Sequence, residues 1–305
     1  MFFSVFILGA LLITFLVIMN KKMSKKNRIK KHNKSKKREK FSNKFTIQDC
    51  NKILIDKEKD CNCFDRNGYP TQFHNECMSI KHADKCNDYN TCKRKFLKYM
   101  SGNEPEYNPK QWEDPIIQSS HNCYAYFLDD HIPAIKKKCE GYCPKFTKKN
   151  GKRTCVKKPA KCDNLKPQPG DFAVENGLMS SNEYKYDCDT IVNKVFMDNK
   201  DKYTKRNKIF KTNFSEQCPN NYYKGAVVVH PNKTYHFYRQ DKNGRWSHKQ
   251  GTLEVENLDA SKKSIWAPHL ADRDYKKDKK DGINYTNFCS YLCVPNNMHA
   301  KTNAL

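Results

Sequence analysis

One cysteine in an aromatic segment and two later histidines have the residue types needed for nucleophilic chemistry. The chain has 15 cysteines, an odd number, so disulfide pairing within the chain leaves at least one thiol over. Cys123 is the one set in an apolar, aromatic run, residues 119–128 (SSHNCYAYFL), and His236 and His248 follow much later. An unpaired cysteine with downstream histidines is typical of a thiol nucleophile and its general base.

The spacing of these residues predicts a role for each of them. Cys123 is the predicted nucleophile, because a thiol in the first turn of a helix has its pKa lowered by free backbone N–H groups and the helix dipole. His236 is the predicted base and His248 the group that orients it, since a tight hairpin can place both on one side of a sheet. Further candidate auxiliary groups are Asn122, Asp171 and Asp259. The alternatives are that Cys123 is a small core residue beside aromatic rings, or is disulfide-bonded while another cysteine stays free.

The elements that must position these residues read as a mixed α+β domain over residues 119–293. Ser119 or Ser120 can cap a helix that runs through Tyr126. Residues 166–173 (KPQPGDFA) predict a turn entering a strand. The clearest β pattern is a core strand at 224–230, a strand at 234–240, a turn at 241–244 and a return strand at 245–249.

In order and spacing, these motifs resemble the NlpC/P60 and CHAP branches of the papain-like cysteine peptidases. The residues that carry the resemblance are Asn122-Cys123-Tyr124-Ala125, Pro169-Gly170-Asp171-Phe172, and the His236/His248 pair. The resemblance implies a papain-like α+β core with an antiparallel sheet, a Cys-His-polar triad and hydrolysis of amide bonds, often in cell-wall peptides. The chain departs from the pattern in lacking Ser-Gly after the cysteine and in carrying a long basic loop before Pro-Gly-Asp.

The N-terminal 45 residues predict a membrane element and a basic linker. Residues 2–19 carry no charge and are long enough to cross a bilayer, which predicts a transmembrane anchor at 1–20 with lipid as its partner. A cleaved signal peptide is the alternative. Residues 21–40 hold twelve Lys/Arg and one Glu, within a linker (21–45) that we expect to be disordered and to touch anionic headgroups. The lack of interleaved aromatic residues argues against nucleic-acid binding.

Residues 46–100 predict a small cysteine-rich module. The cysteines of this module are Cys50, Cys61, Cys63, Cys77, Cys86 and Cys92, and their density favours disulfides. The alternative is a zinc site made from Cys61, Cys63, His74, Cys77, His82 and Cys86, although the spacing lacks the paired CxxC regularity of structural zinc sites. No other cofactor is predicted. We expect a connector at 101–118 and a C-terminal tail at 294–305.

The sequence features that predict cellular location conflict with one another. Abundant cysteines favour an oxidising compartment, and the sequons at Asn213, Asn232 and Asn284 are glycosylation candidates. The basic run after the predicted span instead places that side in the cytoplasm. A virion, or a virus-infected cytoplasm with its own thiol oxidase, would reconcile the two. The build also resembles membrane-anchored proteins of large cytoplasmic DNA viruses, and the side of the membrane stays open.

The sequence therefore predicts a single-pass, disulfide-rich membrane protein with a thiol-dependent hydrolase domain acting on peptide or surface amide bonds. The alternative is a non-enzymatic virion or surface structural or attachment protein on the same scaffold. A zinc-dependent binding module is a third possibility.

Overall fold

The computed structural model describes residues 45–62, 84–149, 151–183, 185–201, 204, 206, 208–278 and 282–296. The chain divides into two compact units, Met1–Cys50 and Asn51–Leu305. Of the first unit the structure describes residues 45–50, which hold Cys50 and the start of the first helix, and the account otherwise concerns the second unit.

The described helices are short. They are α1 Ile47–Asp56, α2 Glu58–Cys61, α3 Asn87–Leu97, α4 Pro115–Ser120, α5 Cys123–Phe127, α6 Pro133–Glu140, α7 Asp171–Glu175 and α8 Cys188–Asp198. Three 3₁₀ turns accompany them, at Pro109–Gln111, Ala160–Leu165 and Tyr275–Asp278.

The described strands form a hairpin and a six-stranded antiparallel sheet. They are β1 Phe146–Lys149, β2 Lys152–Cys155, β3 Phe210–Thr212, β4 Tyr222–His230, β5 Thr234–Gln240, β6 Trp246–Lys249, β7 Val255–Glu256 and β8 Asn287–Pro295. Strands β1 and β2 pair with each other, and the large sheet has the order β3-β8-β4-β5-β6-β7. The described unit is thus a mixed helix-and-sheet structure.

The main core lies between one face of this sheet and helices α5 and α8. Alternate residues of β4 and β5, among them Val227 and Phe237, meet Cys123, Tyr124 and Phe127 of α5. Period-two alternation sends His236 and Tyr238 to the opposite face. The Tyr223 hydroxyl donates to the Phe127 carbonyl oxygen at 2.7 Å.

A glycine lets α5 approach the sheet closely. A Cβ on Gly225 in β4 would lie 2.1 Å from Cε2 of the Phe127 ring. No side chain fits at that distance, so only glycine permits this packing.

The helix that begins at Cys123 is capped by a different residue from the one predicted. Residues through Ser120 belong to α4, whose N-cap is Asp114. The N-cap of α5 is Asn122, whose side-chain oxygen accepts from the backbone N–H groups of Tyr124 and Ala125. The prediction of a serine cap was wrong because both serines belong to the last turn of α4. There their hydroxyls donate to the carbonyl oxygens of the residues four positions earlier.

The predicted hairpin is confirmed, whereas the predicted strand after Pro-Gly-Asp is not. Strands β4, β5 and β6 lie where the alternation placed them, and Gly244 in the turn has φ of +86°. The Pro-Gly-Asp segment instead starts helix α7 at Asp171, after Gly170 with φ of +100°. The Asp198 carboxylate accepts from the backbone N–H groups of Gly170 and Ala173, at 2.7 and 2.8 Å, which holds this helix start in place.

The prediction of a disulfide-rich protein is confirmed. The described pairs are Cys61–Cys86, Cys139–Cys162, Cys143–Cys155, Cys188–Cys289 and Cys218–Cys293. Cys50 and Cys92 are disulfide-bonded as well. Two of these bonds, Cys188–Cys289 and Cys218–Cys293, join β8 to cysteines that are 101 and 75 residues away in sequence. Because they close such long loops, they restrict the unfolded chain strongly.

The predicted single-pass membrane protein is corrected by the structure. Within the described ranges, no helix is long and apolar enough to cross a bilayer. The longest of them, α3 and α8, have 11 residues each. At about 1.5 Å per residue they fall well short of a hydrocarbon core of about 30 Å. The prediction of a transmembrane helix and of a membrane location was therefore wrong, and residues 2–19 and 21–40, on which it rested, lie outside the described residues.

Substituting Gly225→Ala should lower the free energy of unfolding by about 1–3 kcal/mol, because the new methyl group overlaps the Phe127 ring. The measurement is denaturant unfolding followed by tryptophan fluorescence. Phe127→Leu serves as the partner variant, since it removes the overlapping ring atoms. The double variant should lose less stability than the sum of the two single losses; additive losses would show that the close approach is not what requires glycine.

Candidate active site

Cys123 is a free, buried thiol at the start of α5. Among the described cysteines it alone is unpaired, and it is 6% exposed. Asn122 fixes its position, since its side-chain N–H group donates to the Pro167 carbonyl oxygen at 2.7 Å while its oxygen caps the helix. The residue that the sequence singled out is thus held rigidly against the sheet.

The environment of the thiol does not lower its pKa as the helix-start argument predicted. Burial raises the pKa of Cys123 to about 12. The backbone N–H group of Phe237, the nearby Lys249 ammonium and the N–H groups of Cys123 and Tyr124 act in the opposite direction but do not outweigh burial. A helix of five residues has only a small dipole to set against desolvation. The resting thiol is therefore protonated at neutral pH.

His236 and His248 form a buried pair on the face of the sheet opposite α5. Nε2 of His236 lies 3.0 Å from Nδ1 of His248, and the rings meet edge-on. Nε2 of His248 lies 2.9 Å from the carbonyl oxygen of Leu258. The hairpin β5–β6 brings together two imidazoles that are twelve residues apart in sequence.

These contacts determine which ring nitrogens carry protons. Burial lowers the pKa of both histidines, so both are neutral at pH 7. A carbonyl oxygen only accepts, so His248 carries its single proton on Nε2 and accepts at Nδ1. His236 must then donate from Nε2, which leaves an unprotonated Nδ1. We call the hydrogen-bonded series of the Leu258 carbonyl, His248 and His236 the relay. It leaves Nδ1 of His236 unprotonated and so able to accept a proton.

Two observations relate the thiol to His236, although α5 and the His236 ring lie on opposite faces of the sheet. The Cys123 sulfur faces the backbone N–H group of Phe237, the residue directly after His236. Tyr285 stacks on the His236 ring at 5.3 Å, and its pKa is raised by burial and then by the charge of an ionised Cys123, which places it within electrostatic reach of the thiol. No hydrogen bond joins the sulfur to either imidazole in the described structure. Catalytic hydrogen bonds are often long in unliganded enzymes and shorten when substrate binds.

Sequence reasoning missed Lys249, Tyr285 and the Leu258 carbonyl. Lys249 is 0% exposed, and its ammonium group donates to the Gln118 carbonyl oxygen at 3.1 Å. Burial, followed by the charges of Lys166 and Lys158, lowers its pKa to about 7, and an ionised Cys123 acts to raise it. The one sequence signal for this role was the position of Lys249, two residues before Gly251 and on the face of β6 toward α5. A lysine at such a position is normally predicted to be solvated.

The auxiliary candidates organise loops. The Asp259 carboxylate accepts from the N–H groups of Ser261, Lys263 and Asp272, and so shapes the loop that presents the Leu258 carbonyl to His248. The Asp171 carboxylate accepts from the Gln168 N–H group at 2.7 Å and from the Asn182 amide at 2.6 Å. Neither carboxylate hydrogen-bonds to Cys123, His236 or His248.

The remaining sequence candidates are placed as follows. Cys61 and Cys86 are bonded to each other, and Cys63, His74, Cys77 and His82 lie outside the described residues. Across the described ranges, no group of three or more His, Cys, Asp or Glu side chains is arranged to hold a metal ion. Of the sequon residues, Asn213 and Asn232 are exposed and Asn284 is half-buried.

Comparison with known proteins gives one local likeness. No family model matches the chain, and no solved structure matches it. A stretch of 48 residues is 54% identical to the insoluble matrix shell protein 1 of Ruditapes philippinarum. That stretch is 16% of this chain, and it spans 32% of the length of the shell protein. The likeness is thus to a part of each protein.

The buried lysine generates a prediction about stability and pH. The folded pKa of Lys249 is about 7, against about 10.4 in an unfolded chain. Between these values the unfolded chain binds one more proton, so the free energy of unfolding rises with pH, and this contribution is lost as pH falls through 7. Lys249→Met removes the titrating group, so its free energy of unfolding should lack this rise with pH. The difference in free energy of unfolding, variant minus wild type, should therefore fall by about 2–3 kcal/mol from pH 7 to 9.5.

Urea unfolding at both pH values measures this difference. A Cys123→Ser background prevents the free thiol from exchanging with the disulfides at high pH. The exposed Lys52→Met is the matched control, and its stability relative to wild type should be the same at both pH values. A constant difference for Lys249→Met would mean that Lys249 titrates normally.

Proposed function

We propose that the protein is a thiol-dependent amide or peptide hydrolase, with Cys123 as nucleophile, His236 as general base and His248 as the orienting residue. The observation that carries the proposal is the relay from the Leu258 carbonyl through His248, which leaves His236 Nδ1 unprotonated in the strand whose next residue, Phe237, faces the Cys123 sulfur. A general base requires a defined tautomer, and this relay supplies one.

The proposed reaction proceeds through an acyl-enzyme. The Cys123 thiol proton moves to His236 Nδ1 as sulfur bonds to the substrate carbonyl carbon, and the carbonyl π electrons become an oxyanion. When the oxyanion collapses, the C–N bond breaks and the departing amine takes the proton from His236. Water then attacks the thioester, its proton passing to His236 and on to the departing sulfur, which releases the acid and restores the thiol.

The raised thiol pKa specifies how the nucleophile would be activated. A sulfur with a pKa of about 12 is not stored as a thiolate-imidazolium pair. Proton transfer must then accompany attack, which requires a neutral base that stays neutral across the working pH range. The lowered pKa of His236 keeps the imidazole neutral across that range, and it also makes the imidazole a weaker base.

The resemblance to NlpC/P60 and CHAP peptidases supports the same assignment. It rests on a cysteine at a helix start, a Pro-Gly-Asp turn, and two histidines on adjacent antiparallel strands. The disulfides indicate that the protein folds in an oxidising environment. Substrates would accordingly be peptide or amide material found there, such as surface or wall components.

A second candidate is a non-enzymatic structural component. The local likeness to a protein named as an insoluble shell matrix protein favours it, together with the disulfide framework. On this reading Cys123 is a core residue and the histidine pair a buried structural contact.

The hydrolase proposal predicts an unusual pH dependence for alkylation of Cys123 by iodoacetamide. If His236 removes the thiol proton, the rate in the folded protein should be nearly flat from about pH 6 to 9, because the base stays neutral. Uncatalysed alkylation would instead rise tenfold per pH unit toward a pKa of about 12. His236→Gln should restore that steep rise and lower the rate at pH 7 by at least about a hundredfold.

The control is His269→Gln, which replaces an imidazole that packs against Phe288 and Tyr291, away from Cys123. It should retain the flat profile. Peptide mapping by mass spectrometry confirms that the labelled thiol is Cys123. Labelling only after unfolding, or the same profile with and without His236, would refute the hydrolase proposal.

The structural alternative predicts assembly that does not depend on the thiol. The purified protein at physiological salt should form material that sediments, and Cys123→Ser and His236→Gln should leave the sedimenting fraction unchanged. Reduction of the disulfides should abolish assembly. A protein that stays monomeric over a wide concentration range in analytical ultracentrifugation would count against this candidate.

A further inference from the structure

Residues 136–166 concentrate positive charge on a small cross-linked platform. The segment holds twelve Lys/Arg and two acidic residues, and together with residues 21–40 it accounts for nearly all of the net charge of +25. The disulfides Cys139–Cys162 and Cys143–Cys155 lie inside it. They pack with Ile116, Phe146 and Leu165 in a separate core cluster. We call this segment the basic platform.

The cations of the platform are exposed and unneutralised. Eight of them are exposed, including Lys137, Lys148 and Lys157. None of these eight forms an ion pair with a carboxylate in the described structure. Lys166, which is half-buried, pairs with Asp163. The backbone that carries these cations is cross-linked by two disulfides.

The β1–β2 hairpin holds like charges against each other. Lys148 is directly opposite Arg153. Like charges at directly opposed positions destabilise a hairpin. The disulfide Cys143–Cys155 holds the hairpin closed in spite of this repulsion. An anionic partner would remove the repulsion, and its binding energy would include that relief.

We propose that the basic platform binds an acidic polypeptide segment, rich in aspartate or glutamate. Eleven of the twelve cations are lysines, which act as point charges and suit carboxylates at varied spacing. Bidentate recognition of an anion at one fixed position, whether carboxylate or phosphate, would call for arginine. The one arginine, Arg153, stacks on Phe146 at 3.7 Å from the ring centroid, which also covers the ring on which a nucleic-acid base could stack.

The platform adjoins the thiol site. Lys158 donates to the Thr252 carbonyl oxygen at 3.2 Å, in the loop that follows Lys249. At its C-terminal end, Pro167 accepts the hydrogen bond from Asn122, the residue before Cys123. Hydrogen bonds thus connect the platform to the loop after Lys249 and to the residue before Cys123, although binding does not require that the thiol be catalytic.

The test is binding by the full chain in a Cys123→Ser background, so that cleavage cannot consume the probe. The probe is a fluorescein-labelled peptide of alternating aspartate and glycine, measured by fluorescence anisotropy. The triple variant Lys137→Glu, Lys148→Glu, Lys157→Glu should raise Kd roughly tenfold or more and flatten its dependence on salt. The matched control, Lys52→Glu, Lys211→Glu, Lys263→Glu, makes the same charge change on exposed residues elsewhere and should have little effect.

Equal loss of affinity in the two triple variants would overturn the proposal, because it would mean that overall charge or residues 21–40 hold the peptide. Heparin that binds more tightly than the peptide and depends on the same three lysines would also overturn it, in favour of a sulfated glycan. Platform-dependent binding of the peptide by a protein that fails the alkylation test would support the binding surface while removing the hydrolase.

Discussion

The close packing of helix α5 on strands β4 and β5 is the constraint on which the rest of the candidate site depends. Gly225 allows the Phe127 ring to reach the sheet, and the Tyr223 hydroxyl holds the Phe127 carbonyl. At the same end of the helix, Arg239 is buried against the Tyr126 ring and donates to its hydroxyl at 2.9 Å. With that end fixed, the start of the helix packs against β5, where the Cys123 sulfur faces the backbone N–H group of Phe237. Cys123 therefore lies beside the peptide bond between His236 and Phe237.

Burial then sets the chemistry of every titratable group in the site. It raises the pKa of Cys123 and lowers those of His236, His248 and Lys249, so each group favours its neutral form at or above neutral pH. A site of neutral groups has little use for a stored ion pair. The arrangement of such neutral groups depends on directed hydrogen bonds, and here their direction is set by the carbonyl of Leu258 in a loop shaped by Asp259.

Local pattern predicted the hairpin well and the helix starts poorly. Strands β4 to β6 follow from alternation and a glycine turn, which act over neighbouring residues. The serines before Cys123 and the Pro-Gly-Asp segment have local preferences that fit more than one structure. Contacts from outside decided between them: α4 took the serines, and Asp198 bound the N–H groups that begin α7. The transmembrane prediction, drawn from residues 2–19 alone, does not extend to any described helix.

By itself, the sequence determined that a thiol is left over, that the aromatic segment around Cys123 is its best location, and that two histidines share one side of a hairpin. These follow from counting and from the period of a strand. Only the tertiary structure decided which cysteines pair, that Lys249 is buried near the thiol, and that a backbone carbonyl orients His248. Pairing, burial and carbonyl contacts join residues far apart in the chain, and their energies depend on desolvation that no local pattern encodes.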